Sequence, residues 1–124
     1  MPHPNGGRHD LGRLAETAVA SWYQDRGWEV LSRNWRCRQG ELDVVASQGR
    51  WLAFCEVKAR SSRRFGAPQE AVNWAKRKRL RLLAARWLAE QPDGVHRGKQ
   101  IRFDVAGVSA GSQGLVIEMI EGAF

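Results

Sequence analysis

Two carboxylates and a lysine stand at a spacing that chemistry can use. Asp43 lies in Gly40-Glu41-Leu42-Asp43-Val44-Val45-Ala46, and Glu56 and Lys58 lie in the run from Trp51 to Arg60. Both runs read as strands, with Ser-Gln-Gly-Arg between them, so residues 40–60 predict a β-hairpin. Side chains alternate faces along a strand, and opposed residues on paired strands share a face. With Gln48 and Gly49 as a two-residue turn, Asp43 opposes Phe54, Val45 opposes Leu52 and Glu41 opposes Glu56. One face then carries Glu41, Asp43, Glu56 and Lys58, with Asp43 diagonal to Glu56 at roughly 7–8 Å between backbones. A three-residue turn would put Asp43 on the other face.

Like charges facing each other on a sheet destabilise it, and a half-buried carboxylate pair calls for a cation. Asp43 and Glu56 therefore present oxygen ligands for a hard divalent ion, Mg²⁺ or Mn²⁺, with a backbone carbonyl near Val57 as a further donor. Lys58, on the same face, would hold or polarise an attacking water or a phosphate. That combination suits phosphodiester hydrolysis. The competing structural reading is a solvated sheet face on which Lys58 neutralises Glu56.

Asp43 followed thirteen residues later by Glu56-Val57-Lys58 resembles the PD-(D/E)xK signature of restriction-endonuclease-like nucleases. A longer set, comprising Gly12, Glu16, Arg33-Asn34, Gly40-Glu41-Leu42-Asp43, Glu56 to Arg60, Gly66-Ala67-Pro68, Glu70-Ala71-Val72, Lys76, Arg79-Leu80 and Arg102 to Val105, resembles the bacterial YraN family. The resemblance spans nearly the whole chain. It implies an α/β fold with a restriction-endonuclease-like α-β-β-β-α-β core, a mixed central sheet flanked by helices, and an extra C-terminal strand. It also implies a Holliday-junction-resolvase-like nuclease with metal ligands at Asp43 and Glu56, a catalytic lysine at Lys58, a first-helix acid at Glu16, and DNA rather than RNA as substrate. Leu42 stands where the superfamily has a proline.

Charge points the same way. Twenty Lys and Arg against thirteen Asp and Glu give a net +7 in 124 residues, a balance suited to a polyanionic partner. Arg33, Arg36 and Arg38 precede the hairpin; Lys58, Arg60, Arg63 and Arg64 end or follow it; Lys76, Arg77, Lys78, Arg79 and Arg81 open a helix. Lys76 continues that helix's apolar line and either points toward the acids or snorkels along the stripe. A non-catalytic nucleic-acid-binding module, or an adaptor binding another protein, would show the same basic faces.

The positioning elements follow from periodicity. Residues 10–26 predict a helix capped by Asp10, with Leu11, Leu14, Ala15, Ala18 and Trp22 as its apolar stripe and Glu16 beside it, after a flexible leader of residues 1–8. Trp28–Trp35 predicts a strand before the hairpin. Residues 61–67 form a polar loop closed by Pro68, and a second helix runs to about Glu90 with a break at Asn73 and a stripe of Leu80, Leu83, Ala84, Trp87 and Leu88. Gln69 and Glu70 read as first-turn residues of that helix. Two strands, Gln100–Ser109 and Leu115–Glu121, complete a single domain over residues 1–124. Asp104 is expected to hydrogen-bond Arg102 or a loop. Trp22 and Trp87 lie on apolar stripes. Trp35 and Trp74 adjoin basic residues and are either packed or available to nucleic acid.

No apolar run reaches the roughly 18 residues of a membrane span, and no signal peptide opens the chain, so a cytoplasmic protein with no membrane partner is expected. Cys37 and Cys55 are compatible with free thiols or with a disulfide. Ile117, Met119, Ile120 and Phe124 would either serve a homodimer or finish the sheet. Phosphate-binding glycine loops and Ser-His-Asp or Cys-His sets are absent from the sequence, which disfavours nucleotide hydrolysis and acyl transfer.

Overall fold

The computed structural model describes residues 6–60 and 72–124, with side chains from residue 11 onward. The elements are α1 (Gly6–Asp25), β1 (Glu29–Cys37), β2 (Gly40–Gln48), β3 (Trp51–Arg60), α2 (Trp74–Ala89), β4 (Gln100–Gly111) and β5 (Gly114–Ile120). This is the expected α/β succession with its additional C-terminal strand. The five strands form one sheet in sequence order. Only β3 and β4 run parallel, and the other neighbours are antiparallel. A parallel neighbour cannot be reached by a tight turn, and the crossover here carries α2.

The two helices cover opposite faces. Val45, Leu52 and Phe54 pack with Leu80, Leu83, Ala84 and Trp87 of α2, the stripe the sequence predicts. Val44, Ala46, Ala53 and Cys55 pack with Ala15, Val19 and Tyr23 of α1. The buried row of α1 follows the i, i+4 spacing of a helix ridge, and it differs from the expected stripe: Leu14 is 56% exposed. Helix α1 also starts earlier than expected. Gly6–Arg8 are helical, and Asp10 lies within the helix instead of capping it. Helix α2 starts at Trp74, where Asn73 is the N-cap and its side chain accepts the Lys76 N–H at 2.9 Å. The expected break at Asn73 is thus a true helix start. The loop at 61–67, with Pro68, Gln69 and Glu70, lies outside the described residues.

The β2–β3 turn is Gly49-Arg50, since Gln48 pairs with Trp51. Gly49 adopts φ +55°, a left-handed conformation that glycine takes without penalty. The register therefore differs from the Gln48-Gly49 prediction by two residues. A two-residue change preserves which side chains share a face.

Alternation along β2 is not perfect. Leu42 packs on the α2 side and Val44 on the α1 side, although residues two apart on a regular strand share a face. Across the ladder, Arg33 pairs with Val44 and Trp35 with Leu42, and the intervening Asn34 has φ +52°. The irregularity therefore falls at Asp43.

A second polar cluster ties the far end of the sheet. The buried Asp104 carboxylate accepts the Tyr23 hydroxyl at 2.5 Å, two Arg102 guanidinium N–H groups at 2.8 and 2.9 Å, and the Gly122 N–H at 2.9 Å. This bears out the expected Asp104–Arg102 bond and joins α1, β4 and the segment after β5. Ile117 and Met119 pack on the α1 side, Ile120 pairs with Val105 of β4, and Phe124 stacks on Phe103 with centroids 5.0 Å apart. Cys37 and Cys55 are both free thiols. No described helix is long and apolar enough to cross a membrane.

Candidate active site

The β2–β3 ladder ends at Val44 and Cys55, and continuing that register sets Asp43 opposite Glu56. There the Asp43 Oδ2 accepts the Val57 N–H at 2.8 Å, so a carboxylate takes a donor that a neighbouring strand carbonyl would otherwise satisfy. Asp43 is only 7% exposed. Helix α1 brings Glu16 to the same spot, and one oxygen each of Glu16, Glu41 and Asp43 all lie within 4.8 Å of one another. Glu56 is held differently. Its Oε1 lies 3.8 Å from the Lys58 ammonium and 3.7 Å from that of Lys76.

Burial raises the Asp43 carboxyl, pushing it up to about 7, with the charge of Glu56 next in effect; Glu16 and Glu41 raise it further, and the Val57 N–H opposes them. Burial also lowers the Lys76 ammonium, together with the nearby Lys58, while Glu56 works the other way.

Asp43, Glu41 and Glu56 line a cleft of about 250 Å³ between the sheet and α2, whose other wall is Lys76, Arg79, Leu80 and Leu83, with Gly40 at one end. Gly40 has φ +146°, and a Cβ there would sit 3.4 Å from Leu83 Cδ1. Glycine thus lets β2 start against α2 without pushing the basic wall away.

The residues expected at the site are therefore brought together: Asp43 and Glu56 from the hairpin, Lys58 two residues beyond Glu56, Glu16 from α1 and Lys76 from α2. Glu41 joins them, although no role was expected for it. Its signal was already present in the sequence, since it shares a predicted face with Asp43 and Glu56. The basic residues divide. Arg79 lines the cleft and Lys78 faces solvent. Arg77 turns away, bonding the Val72 carbonyl at 3.1 Å and lying over the Phe124 ring. Arg33 donates to Thr17 at 2.8 Å, Arg36 pairs with Glu41 at 3.0 Å, and Arg60 is half-buried at the end of β3. Arg63 and Arg64 lie outside the described residues.

Residues 15–108 match the model of uncharacterised protein family UPF0102. The chain belongs to this family. The UPF0102 assignment agrees with the YraN-like resemblance and covers the C-terminal part of α1, the hairpin, α2 and most of β4. Among UPF0102 relatives, a protein of Frankia casuarinae is 52% identical over 115 residues, covering 92% of this chain and 95% of its own. One of Nocardia farcinica is 50% identical over 103 residues, covering 83% and 79%. Another, of Moorella thermoacetica, is 45% identical over 119 residues, covering 94% and 97%.

Proposed function

We propose that this UPF0102 protein is a metal-dependent nuclease hydrolysing phosphodiester bonds in DNA, including branched recombination or repair intermediates. The observation that carries the proposal is the gathering of Glu16, Glu41 and Asp43 oxygens within 4.8 Å of one another, with Glu41 and Asp43 lining a cleft whose facing wall is Lys76 and Arg79. A buried carboxyl surrounded by three others has its charge opposed by each of those acids, and a divalent cation relieves that repulsion.

The donor set fits Mg²⁺ or Mn²⁺, both of which favour carboxylate oxygens. Asp43 would hold the ion with Glu16 and Glu41, whose oxygens lie beside its own, and Glu56 would join them on exchanging an ammonium partner for the cation. When bound, it supplies positive charge against the transferring phosphoryl group. The chain's own groups do the rest. Lys58 orients the attacking water or a phosphoryl oxygen, Lys76 and Arg79 hold the backbone against the acids, and Leu80 and Leu83 narrow the cleft.

The test is cleavage of labelled branched, flapped and single-stranded DNA with Mg²⁺ or Mn²⁺. Activity should vanish in Asp43→Ala, Glu56→Ala and Lys58→Ala while circular dichroism stays unchanged. Turnover that persists in all three would reject the proposal.

One observation favours a second reading. Glu56 already has two ammonium partners, as expected of a self-neutralising site in a module that binds nucleic acid without cutting it. That module would show steeply salt-dependent DNA affinity and no turnover with any divalent ion.

A further inference from the structure

Trp74 is 73% exposed, more than any other large hydrophobic side chain among the described residues. An open indole face is unusual in a chain whose other tryptophans are engaged: Trp87 is 1% exposed and donates to Ser32, Trp35 donates to Glu90, Trp28 packs beside Tyr23, and guanidinium groups lie over Trp22 and Trp51. Its position narrows what the ring is for. Trp74 is the first residue of α2, and two residues later Lys76 reaches the Glu56 carboxylate.

On a helix, residues two apart point to different sides and residues four apart share one. Lys76 accordingly faces the cleft with Arg79, while Trp74 shares the outer side with Lys78, which is exposed. The helix end thus presents cations toward the acids and an aromatic plane with a cation just outside them. The helix is roughly 10–12 Å across, a width that a couple of nucleotides of an extended strand can cross.

We propose that the start of α2 reads single-stranded DNA, with an unstacked base on the Trp74 ring and the neighbouring phosphates on Lys76 and Arg79. Aromatic side chains bind any base through its π-face, and a groove of positive charge follows the backbone. A duplex keeps its bases stacked inside and offers Trp74 only its backbone. The substrate this selects is an unpaired strand, such as a flap or the arm of an opened branch. The inference rests on reading the cleft as a nuclease site and adds the substrate's structural class.

The test needs no turnover. Anisotropy of a fluorescein-labelled 20-nucleotide oligothymidylate and of a hairpin duplex of equal length is measured in EDTA at low salt, with thermal melts confirming folding. Trp74→Ala should weaken single-strand binding about tenfold and leave duplex binding within about twofold, with Trp74→Phe recovering most of the loss. Lys76→Ala should weaken both. Single-strand affinity unchanged in Trp74→Ala, or an equal loss for both probes, overturns the inference. Metal-dependent cleavage that continues in such a case leaves the nuclease proposal standing. Selective loss in Trp74→Ala without cleavage by any form of the protein removes that proposal and keeps this one.

Discussion

Asp43 should weaken the fold it belongs to, and removing its charge should reveal by how much. Its carboxyl ionises near 3.8 in an unfolded chain and near 7 in the folded protein. Between those values the folded state holds the proton more tightly. The site's contribution to stability is therefore fully present below about pH 4 and is lost as pH rises through 7. At 1.36 kcal/mol for each tenfold change in proton affinity, the ceiling is on the order of 4 kcal/mol. Asn at this position keeps an oxygen for the Val57 N–H, which Asp43 accepts at 2.8 Å, and carries no charge.

Asp43→Asn should consequently be more stable than the native chain by about 2–4 kcal/mol at pH 8, and by less than about 1 kcal/mol at pH 4. Urea unfolding followed by tryptophan fluorescence measures this directly, as a midpoint displaced upward by about 1–2 M at pH 8. Comparing the two proteins at each pH cancels every titration they share. A variant no more stable at pH 8, or a gain of equal size at pH 4, would refute the account of Asp43 as a buried charge opposed by its acidic neighbours.

Titrating Mn²⁺ in a calorimeter should give saturable heat with the native chain and little with Asp43→Ala; equal heats would count against the metal centre. Asp104→Ala should lower unfolding free energy by about 2–4 kcal/mol, because it leaves the Tyr23 hydroxyl without its acceptor and the Arg102 guanidinium with only the Glu121 carboxylate, 4.0 Å away, as a counter-charge among the described residues, and a loss under about 1 kcal/mol in urea titration would show the network to be incidental. Burial pushes the Cys55 thiol well above its usual range. Ellman's reagent should therefore modify Cys37 alone at pH 8 in the native protein and reach Cys55 only after unfolding.

Much of this was legible in the residues. Period-two alternation drew attention to Asp43 and Glu56, and although the turn was misplaced by two residues and alternation breaks at Asp43, both acids line one cleft. The stripe from Leu80 to Trp87 located α2 against the sheet and carried Lys76 toward the cleft. Other features were not local enough to read. Leu14 is larger and more apolar than Ala15, yet Ala15, Val19 and Tyr23 are buried, because close approach to the sheet favours small side chains and Asp104 awaits the Tyr23 hydroxyl. The irregularity at Asp43 lies opposite the left-handed Asn34 of the adjacent strand, and no alternation within β2 announces it. Glu41 stood on the predicted acidic face, but only α1, by bringing Glu16 beside it, gives it a place in the cluster.

The single parallel pairing in the sheet also imposes an order in time. Residues 6–60 make α1 and a three-stranded meander through short connections, and every acid of the site lies within them. Strand β4 reaches β3 only after the chain has passed through α2, and contacts that close long loops form slowly. As synthesis proceeds from the N-terminus, the acidic half of the cleft emerges first, followed by its basic wall on α2 and then by the strand that completes the sheet beside it. A nascent chain halted near residue 60 would carry the carboxylates without Lys76 and Arg79, and so without the charges on α2 that draw a phosphate backbone to them.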